Sequence, residues 1–555
     1  MSIADTIFTG GVILTLGRGE MEAEALAVRD GRVLAVGTAA DVLATRGPST
    51  DLVDLQGRTL MPGFVEAHGH PLLSALAWGD PVVDIRAILT PTYAAALEKI
   101  RRRVRKAKPG EVLWFLGLDP QLHEGAREPS KEELDALSPH IPVIVQTSNI
   151  HALYLNTAAL DTFGITRDSP VPPGGKVVHD SSGAPWKFEE RAKDPIIEKF
   201  YALCGEQRGV DSLKDWLWKF ARAGYTTSSE MGLTAMTAVF YRKALATFDM
   251  PIRVFAFQRA TPEGVLTVPV DGGDDRFAMI GTKLWGDGSV LLGNVWVSRP
   301  YLNTEMTLQR MGLPPDNTGH MNYRPDELRR IIRAYAEQGQ QISVHTHGDR
   351  TIDAVLDVYE EVLAACPQAK RPFRLEHCGT IRDDQIDRAL RLGVVCSFFL
   401  PYLYYWGEAL RDALLGPEAA ARFVPSGTAT RKGMRVSYHC DPPMTWPNAV
   451  LCLHLAVTRR SLAGNVIGAE ERVDIDSALR AVTIDAASHI RMEDKIGSLE
   501  PGKYADLVLL DKNPRRQTPD DILSIRVLGT WLQGKRVWEA DDVSTTAGGT
   551  GLEHG

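Results

Sequence analysis

The 555-residue chain has no uninterrupted apolar run approaching the ~18 residues of a membrane-spanning helix, so no span is expected. Its start, MSIADTIFTGGVILTLGRGE, lacks the basic opening and apolar stretch of a secretory signal. Cysteine is scarce and scattered: six residues, at 204, 366, 378, 396, 440 and 452, form no C-x-x-C pair. That argues against a zinc ribbon or a redox dithiol. Free thiols in apolar runs suit a reduced compartment, with the cytoplasm as the default location. Positive charge is not in excess either. With 62 Lys and Arg against 70 Asp and Glu the formal charge is −8, which argues against nucleic acid as a partner. The densest basic run, Arg101-Arg102-Arg103 with Arg105 and Lys106, closes what reads as a helix and there complements the helix dipole. Low-complexity segments and short-period repeats are missing. A small-molecule substrate remains as the expected partner, and a homodimer is allowed.

What is present is ordinary globular material: 44% hydrophobic and 24% charged residues. The length exceeds one compact domain and suits a large barrel with a smaller companion. Residues 1–58 alternate apolar and polar positions around turn pairs such as Asp30-Gly31 and Gln56-Gly57, and residues 492–540 have the same texture. These two ends are expected to form one composite β-sandwich. The last stretch, 541–555, is rich in Gly, Thr and Ser and reads as a loose tail. Between the ends, residues 59–491 carry eight strand-like segments, at 59–70, 224–232, 252–258, 280–289, 340–349, 372–379, 393–401 and 434–443, several of them separated by amphipathic helices. Eightfold strand–helix alternation predicts an α/β fold, a (β/α)₈ TIM-like barrel. The stretch at about 80–215, between the first and second strands, is too long for a loop and reads as an inserted subdomain roofing the barrel.

The strongest local signal is His68-Gly69-His70 at the end of the first barrel strand. Residues i and i+2 of an extended chain face one way, so both imidazoles can reach one metal. His345 ends the fifth strand, His377 the sixth and Asp441 the eighth, and Lys283 lies in the fourth. Each alone has a plain structural explanation: a histidine bonded to a carbonyl, a surface lysine or one paired to Asp287, a turn aspartate before Pro442-Pro443. In a closed parallel barrel all strand C-termini meet at one face, so these groups converge. Burying so many ionisable groups without a metal or tight pairing is costly.

The phrases LMPGFVEAHGH, NIHALYLNTAAL, VPPGGKVVHDSSGAP, GYTTSSEMG, TKLWGDGS, ISVHTHGDRTIDAVLD, FRLEHCG, VSYHCDPP and GSLEPGKYADLVLLD carry a resemblance. The chain resembles the amidohydrolase superfamily, in particular the amidohydrolase-3 group that includes N-substituted formamide deformylases. The resemblance is collinear over roughly residues 1 to 540. It implies that His68, His70, His345, His377 and Asp441 are metal ligands and that Lys283, carboxylated on its amine, bridges two metals. Four positions depart from the family pattern: Glu66 replaces an aspartate, Phe399-Leu400-Pro401 replaces a Gln-Pro end to the seventh strand, Cys440 replaces a serine before Asp441, and His347 replaces an apolar residue.

The chemistry so implied is metal-dependent hydrolysis of a C–N bond in an amide, formamide or related compound. A divalent metal, zinc first by ligand type, with manganese or iron as alternatives and one or two ions per chain, brings the pKa of water toward about 7. Asp441 is the expected catalytic proton shuttle. An unmodified Lys283 would favour one metal over two. Candidate substrate contacts are His151, Trp285, His347, Phe399, Tyr402 and Trp406. The aromatic cluster after the seventh strand is either core and lid packing or an apolar substrate pocket. Ester or carbamate hydrolysis, or a metal-dependent decarboxylation, would use the same scaffold, and a metal-free binding protein is the rival outside enzymes.

Overall fold

A computed structural model describes residues 2–78, 81–268 and 273–541 of the chain. The tail expected over 541–555 lies, from 542 onward, outside the described residues. At the centre are eight strands that pair in chain order, every registered pair parallel: β1 (Phe64–Glu66), β2 (Tyr225–Leu233), β3 (Arg253–Arg259), β4 (Phe277–Trp285), β5 (Gln341–Thr346), β6 (Arg374–His377), β7 (Val395–Phe398) and β8 (Ser437–Tyr438). All eight strands expected from the sequence are in this sheet. Their short apolar runs, such as RVFAFQR in β3, are buried nearly throughout, as strands covered on both faces must be. The two edges meet through Cys440 N–H, which donates to Glu66 Oε1 at 3.0 Å, and His70 N–H, which donates to Pro442 O at 3.1 Å. Amphipathic helices fill several crossovers, among them Pro325–Glu337, Asp349–Ala365 and Asp383–Leu392.

The segment expected as one strand over 59–70 is two. Thr59–Pro62 pairs antiparallel with Leu507–Leu510, outside the barrel, and only Phe64–Glu66 joins β2. Gly63 makes the break because the barrel wall crowds it. A Cβ there would lie 2.3 Å from the Thr226 side chain. Thr59–Pro62 belongs to a six-stranded sheet with Val12–Leu14, Glu22–Ala23, Leu507–Leu510, Val527–Leu532 and Lys535–Glu539. A four-stranded sheet holds Thr6–Thr9, Ala25–Arg29, Arg32–Gly37 and Asp51–Asp54. The two sheets share an apolar cluster in which Phe8 meets Trp531 edge to face at 5.6 Å. A fully buried ion pair, Arg253 Nε to Asp506 Oδ2 at 2.6 Å, ties β3 to this region.

Between β1 and β2 the chain builds a further six-stranded sheet, from Val82–Asp84 to Pro185–Glu190. The basic run sits where the sequence placed it, closing helix Tyr93–Arg105 with Arg102, Arg103 and Arg105 in its last turn. At the opposite end of the barrel from the strand C-termini, helix Ile484–His489 and the residues after it sit against the strand starts. His489 O accepts from Gln341 Nε2, and Arg491 donates to Ile280 O.

Candidate metal centre

The C-terminal ends of the barrel strands gather the ionisable groups, and unusual backbone aims two of them. His377 (φ 70°) and Asp441 (φ 50°) lie in the left-handed region that a β-carbon disfavours. His70 opens helix Pro71–Ala77 directly after β1. The result is a buried cluster. Asp441 Oδ1 lies 3.5 Å from His68 Nε2 and 3.4 Å from His70 Nε2. Asp441 Oδ2 lies 4.0 Å from His377 Nδ1. Lys283 Nζ is 3.3 Å from His68 Nε2. It does not pair with Asp287, whose carboxylate instead accepts the backbone N–H groups of His347 and Gly348 at 2.9 and 2.8 Å. The His345 ring centroid is 4.3 Å from that of His377, and its Nε2 lies 2.8 Å from Gly288 O. A carbonyl only accepts, so this nitrogen carries the proton and Nδ1 keeps the lone pair.

Two sets of side chains bring ligand atoms within 4.8 Å of one another: His68, His377, His439 and Asp441, and His345, His347 and His377. His347, expected to touch substrate, thus stands among the metal-capable groups. His439 was not anticipated at all. Its signal was its place two residues before Asp441 at the end of the eighth strand. It stacks on His68 with ring centroids 4.6 Å apart.

His68 is held from behind. Its Nδ1 lies 2.7 Å from Glu376 Oε2, and Glu376 in turn takes Ser343 Oγ at 2.7 Å and Arg374 Nη2 at 3.0 Å. A carboxylate on one ring nitrogen fixes the tautomer and leaves the other free to ligate.

The electrostatics suit a cation. Burial, reinforced by nearby cationic groups, holds His68 and His345 well below the usual histidine range and brings His70 down to about 3. Burial does the same to His347, His377 and His439. All these rings are neutral, the form that binds metal. Burial also pushes Asp441 up to about 7, against the opposing pull of Lys283. Asp441 Oδ1 and His347 Nδ1 are buried with no hydrogen-bond partner. Ligand-capable atoms within 4.8 Å of one another, with an unpartnered carboxylate oxygen in one set and an unpartnered imidazole nitrogen in the other, are what a divalent cation satisfies, so the residues present fit a metal.

A cavity open to solvent reaches the cluster at His70. His151 and Trp285 line it, with Leu72, Leu76, Tyr201 and Arg259. His151 is oriented by Glu190, whose carboxylate lies 2.9 Å from its Nδ1, a partner from the sheet between β1 and β2 that the sequence did not reveal. The other expected substrate contacts do not line this cavity. Phe399 stacks on His439 at 5.6 Å, the Tyr402 hydroxyl lies 3.4 Å from His347 Nε2, and Trp406 Nε1 donates to Asp119 at 2.9 Å. Phe399 and Tyr402 pack around the imidazoles, and Trp406 packs on Tyr402.

A parallel barrel that collects neutral imidazoles and a carboxylate at its strand C-termini is the scaffold of a metal-dependent hydrolase. The chain belongs to the amidohydrolase family, whose model matches residues 51–538. It is an enzyme of that class, a hydrolase acting on carbon–nitrogen bonds. It is 28% identical over 527 residues to the N-substituted formamide deformylase of Arthrobacter pascens, covering 92% of this chain and 94% of that one. It is 26% identical over 560 residues to the protein LONG AFTER FAR-RED 3 of Arabidopsis thaliana, covering 97% and 92%. Among solved structures it resembles an uncharacterized metal-dependent hydrolase from Pyrococcus horikoshii OT3, with a TM-score of 0.72, 22% identity, and coverage of 93% and 99%. The described residues include no helix long and apolar enough to cross a membrane.

Proposed function

We propose that the protein hydrolyses the C–N bond of a small carbonyl compound, an amide or N-formyl amine, whose non-reacting part occupies the cavity beside His70 and Trp285. The observation that carries this reading is the convergence of His68, His70, His345, His377 and Asp441 on one buried volume at the strand C-termini. These five would hold the metal, zinc by their nitrogen-rich chemistry, and Lys283 as a carboxylated bridge would allow a second ion. Burial brings Lys283 down to about 8, so its free amine, the form that takes up carbon dioxide, is accessible near neutrality. A bound divalent metal supplies Lewis acidity and makes water a nucleophile at neutral pH. Asp441, with an unpartnered oxygen between His68 and His70, takes the proton of the attacking water and delivers it to the leaving nitrogen. His151, fixed by Glu190, faces the cavity as a contact for the carbonyl or the leaving group.

In the same reading, residues 1–58 and 492–540 form a β-sandwich. The inserted subdomain at about 80–215 roofs the site and supplies His151 and Glu190. The apolar lining at Leu72, Leu76 and Tyr201 favours an apolar or aromatic substituent. The test is a hydrolysis panel of amides, N-formyl amines, carbamates and aryl esters, run with protein of measured metal content. One to two equivalents of metal with turnover of amides or N-formyl amines is expected. Active protein with under a tenth of an equivalent, or turnover of esters alone, would overturn the assignment.

A further inference from the structure

The cavity beside His70 is apolar along Leu72, Leu76 and Tyr201, but Arg191, Lys193 and Arg259 line it too, and the chemistry at the metal cluster does not use them. Cations away from bulk water are normally paired, so the partners of each matter. Arg259 Nη2 lies 2.8 Å from Asp194 Oδ2, and Arg191 Nε lies 3.6 Å from the same oxygen. One carboxylate thus serves two guanidinium groups. Lys193 forms no ion pair among the described residues. Its Nζ donates to Glu190 O at 3.1 Å, which leaves two N–H groups unused. Arg259 Nη1 makes no hydrogen bond among the described residues either. The other acids lining the cavity do not fill the gap. The Glu190 carboxylate is held by His151 Nδ1 and Asn294 Nδ2, both at 2.9 Å, and Glu230 Oε2 accepts from Leu72 N–H and the Tyr241 hydroxyl. Glu198 is exposed. Burial lowers Lys193, with Arg259 and Arg191 adding to the effect and Asp194 and Glu190 opposing it, so its ammonium is under-compensated.

Two elements bring these cations to the site from different sides. Glu190, at φ 51°, ends strand Pro185–Glu190 and sends its carboxylate to His151; the short turn Arg191–Lys193 follows at once and carries Lys193 to the cavity. Arg259 comes from the barrel. It is the last residue of β3 and stands in register with Lys283 of β4. The Trp285 ring neighbours both, with its centroid 4.9 Å from the Arg259 guanidinium and 5.4 Å from Lys283 Nζ. A substituent laid along this indole from the metal cluster therefore ends at Arg259.

We propose that Lys193 and Arg259 form a carboxylate-binding subsite, so that the substrate is an amide or N-formyl amine whose apolar substituent bears a carboxylate. This rests on the reading above in which a C–N bond is cut at the metal cluster, and it names the far end of the molecule that is cut. Two nitrogens with donors to spare match the two oxygens of a carboxylate. The apolar lining takes the body of the substituent, and the cations fix its end. A hydrogen bond to a charged group in such a place is worth about 10–100-fold in binding.

The experiment has two arms, both on the full-length chain. In the first, metal-loaded protein is offered matched pairs that differ only in the carboxylate: N-formylphenylalanine against N-formylphenethylamine, and 6-formamidohexanoate against N-formylpentylamine. The readout is the ratio of kcat/KM within each pair. The parent should favour the carboxylated member of at least one pair by about tenfold or more, mainly through KM. Lys193→Met and Arg259→Gln should each cut that ratio by about tenfold, and Lys193→Arg should keep most of it. Lys193→Glu should turn the preference toward the neutral member. Thermal unfolding confirms that each variant folds. In the second arm, NMR titration of metal-free protein with phenylacetate reads the subsite without turnover, and Lys193→Met should bind it about tenfold more weakly than the parent. A parent that prefers the neutral member of both pairs overturns the proposal. So does a ratio unmoved in both Lys193→Met and Arg259→Gln, or phenylacetate bound no better by the parent than by Lys193→Met. Failure to hydrolyse any member of either pair would strike the functional reading instead, and the phenylacetate titration would still decide the subsite.

Discussion

Replacing Glu376 by glutamine keeps the shape of the side chain and removes the charge behind His68. The carboxylate takes His68 Nδ1 at 2.7 Å, Ser343 Oγ at 2.7 Å and Arg374 Nη2 at 3.0 Å. Glu376 and Arg374 are both fully buried. Glu376→Gln strands the Arg374 guanidinium without its counter-ion, and removing one partner of a buried pair costs about 3–5 kcal/mol. Arg374 also donates to Ala67 O at 2.8 Å, which keeps the loss toward the lower end. Against a usual stability of about 5–15 kcal/mol the variant still folds, with a clearly lower urea midpoint. Metal affinity should fall by about 10–100-fold as His68 loses its orienting carboxylate. The double variant Arg374→Met/Glu376→Gln removes both charges and should recover part of the lost stability, a coupling of about 1–3 kcal/mol. The effect has a pH signature. Burial tends to raise Glu376, but the charges of Arg374 and Lys283 and the hydrogen bonds from Ser343 and Arg374 outweigh it and hold the carboxyl below its ordinary range. A folded pKa below the unfolded one gives stability that is full above about 4.3 and is lost as pH falls through the folded value. The variant should lack that acid limb. Urea titrations of metal-free protein and chelator competition measure the two effects. An unchanged midpoint together with unchanged metal affinity would refute this account of how His68 is held.

Three further outcomes are expected. Asp441→Asn should lower turnover at least ~100-fold with the fold intact by circular dichroism, and near-normal turnover would move the proton shuttle elsewhere. Lys283→Ala should lose metal and activity, with partial return of both on adding short-chain carboxylic acids, and elemental analysis before and after the addition checks it. Burial raises Glu230 to about 7 against hydrogen bonds from Leu72 N–H and the Tyr241 hydroxyl. Its protonated form therefore contributes stability that is present below the unfolded pKa and lost as pH rises through about 7. Glu230→Gln should gain on the parent between pH 5 and 8 by up to about 3 kcal/mol, and a flat difference across paired denaturation curves would contradict it.

The barrel was legible because each strand is a short apolar run bounded by helical or turn signals, and several runs end in a metal-capable side chain. His68 and His70 were marked as candidates by their spacing together with their place after the apolar LMPGF run, and both lie just past β1, which ends at Glu66. Convergence of His345, His377 and Asp441 followed from the topology of a parallel barrel. The register within 59–70 was not readable, because two strands in different sheets abut with only Gly63 between them, and periodicity does not show a change of partner. His439 was overlooked for a related reason. β8 ends at Tyr438, and the left-handed turn at Asp441 breaks the alternation that would have set His439 and Asp441 side by side. Glu190 and Glu376 act through histidines 39 and 308 residues away, separations over which sequence patterns are silent.

The pairing of Thr59–Pro62 with Leu507–Leu510 also bears on how the chain is made. Leu60 meets Leu509, a partner synthesised about 450 residues later. At roughly 5–20 residues per second, the ribosome leaves that strand edge waiting for on the order of half a minute or more. The barrel strands, each next to its successor in the chain, can assemble during that interval, whereas the terminal sheet can close only after release of the last fifty or so residues. A nascent chain arrested before residue 507 would therefore expose an apolar edge from the first sixty residues to every neighbouring chain.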